Sequence, residues 1–343
     1  MEVQSKAFHE LHFDSLQLLR GLTALMIVLE HIRFLNCGAF GVDIFFCLSG
    51  FMIMFSTQRT TKFFLRKRLI RILPLYYLMT LGSFVLMLLF PGMFVQSRAN
   101  PVYLIKSLLF IPFDIGGGTL QPLMRVGWTI NCELFFYLLF FLSFHISHRR
   151  RGLLCSALLL LVTGAAQLTH SAFAPLAFYG NPVMLEFILG ILTYYIAAAL
   201  YDMHCRGKLP RFCRFLCPLL GGVIFLLLLA TKPGINILGF RRPLVWGIPG
   251  MLLLLCFFVW GLYPHRYPKS LIQLGNISFS LYLVHYYPVM LLDRAVFDFS
   301  TFTPVTLLGV AVSLAVSVLL AQLSYLLIEK SFSGWLRRLL CRN

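Results

Sequence analysis

Arg66-Lys67-Arg68-Leu69-Ile70-Arg71 leads without a break into Ile72-Leu73-Pro74-Leu75-Tyr76-Tyr77-Leu78-Met79-Thr80-Leu81-Gly82-Ser83-Phe84-Val85-Leu86-Met87-Leu88-Leu89-Phe90. The first part is strongly basic and the second carries no charge. A helix that crosses a bilayer needs about 20 predominantly apolar residues. Lys and Arg gather on the cytoplasmic flank of such helices. The stretch therefore reads as a cytoplasmic basic flank entering a membrane span over residues 72–90.

The same reading extends outward to ten spans: residues 16–32, 41–56, 72–90, 128–144, 153–168, 182–200, 216–230, 244–262, 277–292 and 304–328. The apolar run at residues 108–112 is too short to cross and suits a re-entrant or surface piece. Composition agrees, with 59% hydrophobic residues, 12% charged and a mean hydropathy of +0.84. An ordinary soluble domain has about a quarter of its residues charged. Disordered chains are poor in aromatics, whereas aromatics are 15% here. The expected fold is all-α, a polytopic membrane protein with about ten transmembrane helices in one domain over residues 1–343. Residues ahead of the first span include Glu2, Lys6, Glu10 and Asp14, unlike the basic start of a signal peptide. Nine cysteines are scattered with no CxxC, and read as small apolar packing residues rather than disulfide or metal partners.

The net charge of +17 would suggest nucleic acid in a soluble protein, but in a membrane protein it reports topology. With the N-terminus inside, 20 of the 29 basic residues fall on the cytoplasmic side and 8 on the other, with Arg20 inside a span. This balance predicts ten crossings and both termini in the cytoplasm. The loop from Lys232 to Arg242 runs against the trend, being basic on the outer side.

Ionisable groups inside spans are expensive and usually face a cavity or a partner. Arg20 and His31 share the first span, 11 residues apart, so they lie on one helix face about 16 Å apart along the axis. Asp43, Glu133, Glu186 and His285 fall at a depth similar to His31, in the outer half. Arg66, Arg68 and Arg71 fall on the inner side, where arginine forks suit phosphate. Thr129 and Glu133 share a face at i, i+4, as do Ser278, Tyr282 and His285 at i, i+4, i+7. Ser49 and Gly50 allow close helix approach. Taken singly, each has a plainer reading: Arg20 snorkelling to lipid phosphates, His31 as an interfacial histidine, the basic run as topology alone, the others as satisfied buried polar groups.

In combination the motifs resemble the membrane acyltransferase-3 family of bacterial O-acyltransferases, of the exopolysaccharide-modification type. The resemblance rests on Leu19-Arg20-Gly21-Leu22-Thr23-Ala24 with His31, Gly41-Val42-Asp43-Ile44-Phe45-Phe46 with Leu48-Ser49-Gly50-Phe51, and Arg68-Leu69-Ile70-Arg71-Ile72 with Pro74 and Tyr76. It continues through Trp128-Thr129-Ile130 with Glu133, Leu274-Gly275-Asn276-Ile277-Ser278-Phe279-Ser280-Leu281-Tyr282-Leu283-Val284-His285, and Ile328-Glu329-Lys330. Many members have Asp where Gln17 stands, and Pro where Ser331 stands. Many also carry a C-terminal SGNH esterase-like domain, which is not expected here.

The resemblance implies transfer of an acyl group, usually acetyl from cytosolic acetyl-CoA, to a hydroxyl of a cell-surface or exported polysaccharide, in the bacterial inner membrane. Arg20 and His31 match the family's essential pair, and Arg68 and Arg71 its acyl-CoA-binding arginines. The expected roles follow. Arg20, Arg66, Arg68 and Arg71 hold the nucleotide phosphates. His31 is the general base, or forms an acyl-histidine. Asp43 or Glu133 orients it. Trp128, Thr129, Glu186, Tyr282 and His285 line the substrate site. Glu30, adjacent to His31, faces elsewhere on the helix. The expected partners are the lipid bilayer, acyl-CoA and a polysaccharide or lipid-linked saccharide, with neither metal nor nucleic acid. The alternative is a transporter or flippase for a lipid-linked saccharide, which also needs intramembrane polar groups.

Overall fold

The structure, a computed structural model, describes residues 7–94, 98–116, 118–170, 172–231 and 239–341. Lys6, Lys232 and Arg342, which enter the charge balance above, lie outside them. Among the described residues the chain is helical, with no sheet; a single extended bridge joins Asp114 and Leu120. The helices are α1 (Asp14–Glu30), α2 (Phe40–Ser56), α3 (Phe64–Leu89), α4 (Pro101–Leu108), α5 (Trp128–Ile146), α6 (Arg151–Thr169), α7 (Ala174–Tyr179) and α8 (Leu185–Cys205). They continue with α9 (Cys213–Ala230), α10 (Ile248–Gly261), α11 (Lys269–Asn276), α12 (Ser278–Val284), α13 (Tyr286–Leu292), α14 (Pro304–Ser324) and α15 (Ser333–Leu340). π-Helical turns at Pro243–Gly247, Asp293–Phe297 and Tyr325–Phe332 join several of them.

Among the described residues, seven helical runs are long and apolar enough to cross a membrane: Phe64–Leu89, Arg125–Ile146, Arg151–Thr169, Pro182–Cys205, Cys213–Ala230, Pro243–Gly261 and Pro304–Leu340. Each coincides with one of the ten expected spans. The other three expected spans are helical in a shorter form. Both α1 and α2 have 17 residues, a rise of roughly 26 Å, below the roughly 30 Å of a hydrocarbon core. The span at residues 277–292 is divided into α12 and α13. Pro288 lacks the N–H that would bond the Val284 carbonyl, and α12 ends at that residue.

Contacts group the chain into two compact units. The first comprises Met1–Glu30, Leu35–Lys62 and Leu185–Ser278. Its helices meet at small residues. A Cβ on Gly190 would lie 2.1 Å from the Cys47 carbonyl oxygen, and one on Gly50 2.3 Å from that of Phe187. α2 and α8 therefore touch backbone to backbone, the close approach that Ser49-Gly50 suggests. α1 and α11 do the same: a Cβ on Gly275 would lie 2.1 Å from the Gln17 carbonyl oxygen. Phe13, Phe51 and Phe258 interlock at the centre of this unit.

The second unit comprises His31–Phe34, Phe63–Met184 and Phe279–Asn343. Phe64, Tyr137, Phe140 and Phe144 join α3 to α5 through a run of tilted and edge-to-face rings. The Tyr76 hydroxyl donates to the Ser107 carbonyl at 3.0 Å, tying α3 to α4. Pro304 and a reciprocal pair of hydrogen bonds between Thr303 and Thr306 open α14. On α3, Leu78, Leu81, Val85, Leu88 and Leu89 are exposed, the apolar face a bilayer would cover.

Candidate active site

His31 follows the last residue of α1, and His285 sits at the joint between α12 and α13. Within the second unit, the two rings meet edge to face, with centroids 4.8 Å apart. His285 Nε2 and His31 Nδ1 are 3.2 Å apart, and His285 Nδ1 is 3.0 Å from the Leu281 carbonyl oxygen. These contacts assign the tautomers. A carbonyl only accepts, so His285 carries its proton on Nδ1 and presents a lone pair at Nε2. His31 then donates from Nδ1 and keeps its own lone pair on Nε2. His285 is fully buried while His31 is half-buried, so the inner ring holds the outer one and the outer one stays accessible. Tyr286 packs edge-on against His31 at 5.6 Å.

The segment beside His31 is fastened by charge. Arg33 donates to Asp293 at 2.9 Å and is paired with Asp298, and Asp293 also accepts from the Phe299 N–H at 2.6 Å. Hydrogen bonds from Ser300 and from Arg33 hold the Asp298 carboxyl below its ordinary range.

The candidate phosphate-binding arginines open α3 in the same unit. The Arg68 guanidinium lies over the rings of Tyr137 and Phe64 at 5.5 and 5.8 Å, and that of Arg71 over Phe279 at 5.9 Å. Glu133 accepts from the Tyr137 hydroxyl and lies within electrostatic reach of Arg68. Arg66 donates to the Leu340 carbonyl at 2.8 Å. Thr129 donates to the Tyr282 hydroxyl at 2.6 Å, and Tyr282 in turn donates to the Val126 carbonyl at 2.7 Å. This bond fixes the start of α5, where Trp128 is half-buried.

The remaining candidates lie in the first unit. Asp43 is fully buried and receives both arms of Arg242, each at 2.9 Å. Glu186 is also fully buried, 4.0 Å from the same guanidinium, which further stacks on Trp246 at 5.2 Å. Two carboxylates on different helices thus share one arginine. Arg20 donates to Gln17 at 3.3 Å, one turn back along α1. Glu30 accepts from the Gly38 N–H at 2.7 Å.

The structure thus brings together His31 with His285, Thr129 with Tyr282, Glu133 with Tyr137 near Arg68, and Asp43 with Glu186 through Arg242. Two residues enter that the sequence reading did not single out as site groups. Arg242 was only one charge in an outer loop. Asn131 is buried on α5, and neither amide atom meets a hydrogen-bonding partner among the described residues. An amide one turn or less from Thr129 and Glu133 in an expected span was the available signal for it.

Residues 13–322 match the acyltransferase-3 family, described as an acyltransferase domain. The exopolysaccharide production protein ExoZ of Rhizobium meliloti (strain 1021) is 27% identical over 300 residues, covering 85% of this chain and 89% of ExoZ. No solved structure matches the chain. The matched region contains the histidine pair, the α3 arginines and the Asp43–Arg242 ion pair, and a family match over nine-tenths of the sequence decides the assignment: this multi-pass helical chain belongs to the acyltransferase-3 family.

Proposed function

We propose that this protein is an integral membrane O-acyltransferase that moves an acyl group, acetyl first among candidates, from cytosolic acyl-CoA to a hydroxyl of an exported exopolysaccharide. The likeness to ExoZ supports the acceptor class. The observation that carries the chemistry is the His31–His285 contact. His31 Nε2 takes the proton of the acceptor hydroxyl as its oxygen attacks the thioester carbonyl. The tetrahedral adduct collapses, the carbon–sulfur bond breaks, and the coenzyme A thiolate leaves with the proton from His31. His285 holds the proton-bearing Nδ1 of His31 and accepts from it more strongly once the ring is an imidazolium, the orienting role a carboxylate plays in a triad.

Arg68 and Arg71 bind the nucleotide phosphates of the donor, each guanidinium oriented over an aromatic ring. Ten crossings, with both termini in the cytoplasm of a bacterial inner membrane, fit the charge balance and put this end of α3 on the donor side. The test is full-length protein in proteoliposomes with labelled acetyl-CoA and an exopolysaccharide repeat unit. Label on the glycan, stable to washing and released by mild base as an ester, is expected. Glycan crossing the bilayer without label would replace this reading by transport, and an unlabelled glycan with every short acyl-CoA would overturn it.

A further inference from the structure

The C-terminal helix has no role in the chemistry described so far, yet it is attached to the arginine cluster. α15 packs against α3 within the second unit. Arg66 donates to the carbonyl of Leu340, the last residue of α15, at 2.8 Å. The final carbonyls of a helix lack intrahelical partners and carry partial negative charge. Arg66 therefore caps α15 with one of its guanidinium N–H donors. Arg337 lies three residues before Leu340, on the same face of α15, and is exposed. α15 packs on α3, and the clasp holds the end of α15, one turn beyond Arg337, at the first turn of α3; Arg337 and Arg71 both add to the positive field at Arg68.

Arg68 thus lies in the field of both Arg71 and Arg337. Aromatic faces orient Arg68 and Arg71, and the Arg66 clasp holds the end of α15 one turn beyond Arg337. Glu133 offsets part of this charge, and the guanidiniums in excess over it favour an incoming anion. A ligand with several phosphate charges on one compact group suits such a cluster, and the diphosphate and 3′-phosphate of a coenzyme A nucleotide have that form. Lipid phosphates share the chemistry, since Phe332, Trp335 and Leu339 are exposed near Arg337 and Arg338 in the manner of an interfacial helix. Lipid phosphates, however, would not require a clasp that holds the end of α15 at the first turn of α3.

We propose that Arg337 is a donor-binding residue, delivered by α15 and its Arg66 clasp to the nucleotide phosphates of acyl-CoA beside Arg68 and Arg71. This rests on the reading that Arg68 and Arg71 hold acyl-CoA. The test uses full-length protein in phosphatidylcholine nanodiscs, with CoA binding and steady-state kinetics measured together. Arg337→Ala should raise KM for acetyl-CoA about 10-fold, the effect of losing one charge-assisted hydrogen bond, with kcat unchanged. KM for acetyl-pantetheine, which lacks the nucleotide, should not move. Arg337→Lys should recover part of the loss, Arg66→Ala should shift KM in the same direction by less, and Arg338→Ala should match the parent protein. Unchanged acetyl-CoA binding in Arg337→Ala, with binding lost in Arg68→Ala, overturns the proposal while the donor-site reading stands. A loss that appears only when anionic lipid is added to the nanodiscs assigns Arg337 to lipid headgroups and also overturns it. Unchanged binding in Arg68→Ala and Arg71→Ala brings down the donor-site reading itself.

Discussion

At the scale of single residues, the proposed reaction requires that His31 keep its proton on Nδ1 and a lone pair on Nε2. The Leu281 carbonyl sets the tautomer of His285, and His285 sets that of His31. His31→Ala should lower acyl transfer by at least about 100-fold, the contribution of a positioned general base, while the protein still inserts and binds CoA; retained turnover would remove His31 from the chemistry. At the neighbouring position the two substitutions should separate. Gln at 285 offers an acceptor oxygen to His31 Nδ1 and should keep part of the activity. His285→Leu offers none and should lose about 10-fold or more, with its pH–rate profile displaced. Equal activity in the two variants would make His285 a packing residue. Both histidines stand out in the sequence because each is a titratable group in an apolar segment. Their pairing does not, because 254 positions separate them and no periodicity reaches that far.

At the scale of elements, backbone contact at glycines and one shared arginine hold the first unit together. Gly190→Val would drive a side chain into the Cys47 carbonyl, 2.1 Å from the ideal Cβ. The helices cannot separate without opening the core, so the change should destabilise the protein by at least about 1–3 kcal/mol, read as a lower unfolding temperature in detergent. An unchanged temperature would mean that α2 and α8 slide freely. Arg242→Met leaves Asp43 and Glu186 buried without their cation, and should cost about 3–5 kcal/mol. The same thermal scan measures it, and a neutral result would show the ion pair to be dispensable. Ser49-Gly50 marked α2 as a close-packing helix in the sequence, but the partner Gly190 lies on a helix far along the chain. Asp43 was legible as an expensive buried charge. Its counterion was not, because Arg242 belongs to a loop whose basic character looked like misplaced topology.

At the scale of the whole molecule, the charge balance makes a statement about sidedness that a single thiol can check. Cys205 is exposed at the end of α8, next to Arg206, in a segment expected in the cytoplasm. In a variant with the other cysteines changed to Ser, a membrane-impermeant maleimide should label Cys205 only after the membrane is opened. Labelling of intact cells would reverse the topology. Among the described residues, seven of the ten expected spans are helices long and apolar enough to cross, and each was legible as a long, unbroken apolar run. Hydropathy measures greasiness and not continuity, so it did not distinguish a 17-residue helix, or two helices joined at His285, from one long helix.

By itself the sequence determined the all-helical membrane class, the segments that form the long helices, and the polar residues set among them, because each of these follows from local composition and the energetics of moving groups out of water. The tertiary structure decided which of those polar residues meet: His285 on His31, Arg242 on Asp43 and Glu186, Arg66 on the end of α15. Those pairings depend on which helix faces come together, and that is settled by shape-matched packing between segments far apart in the chain.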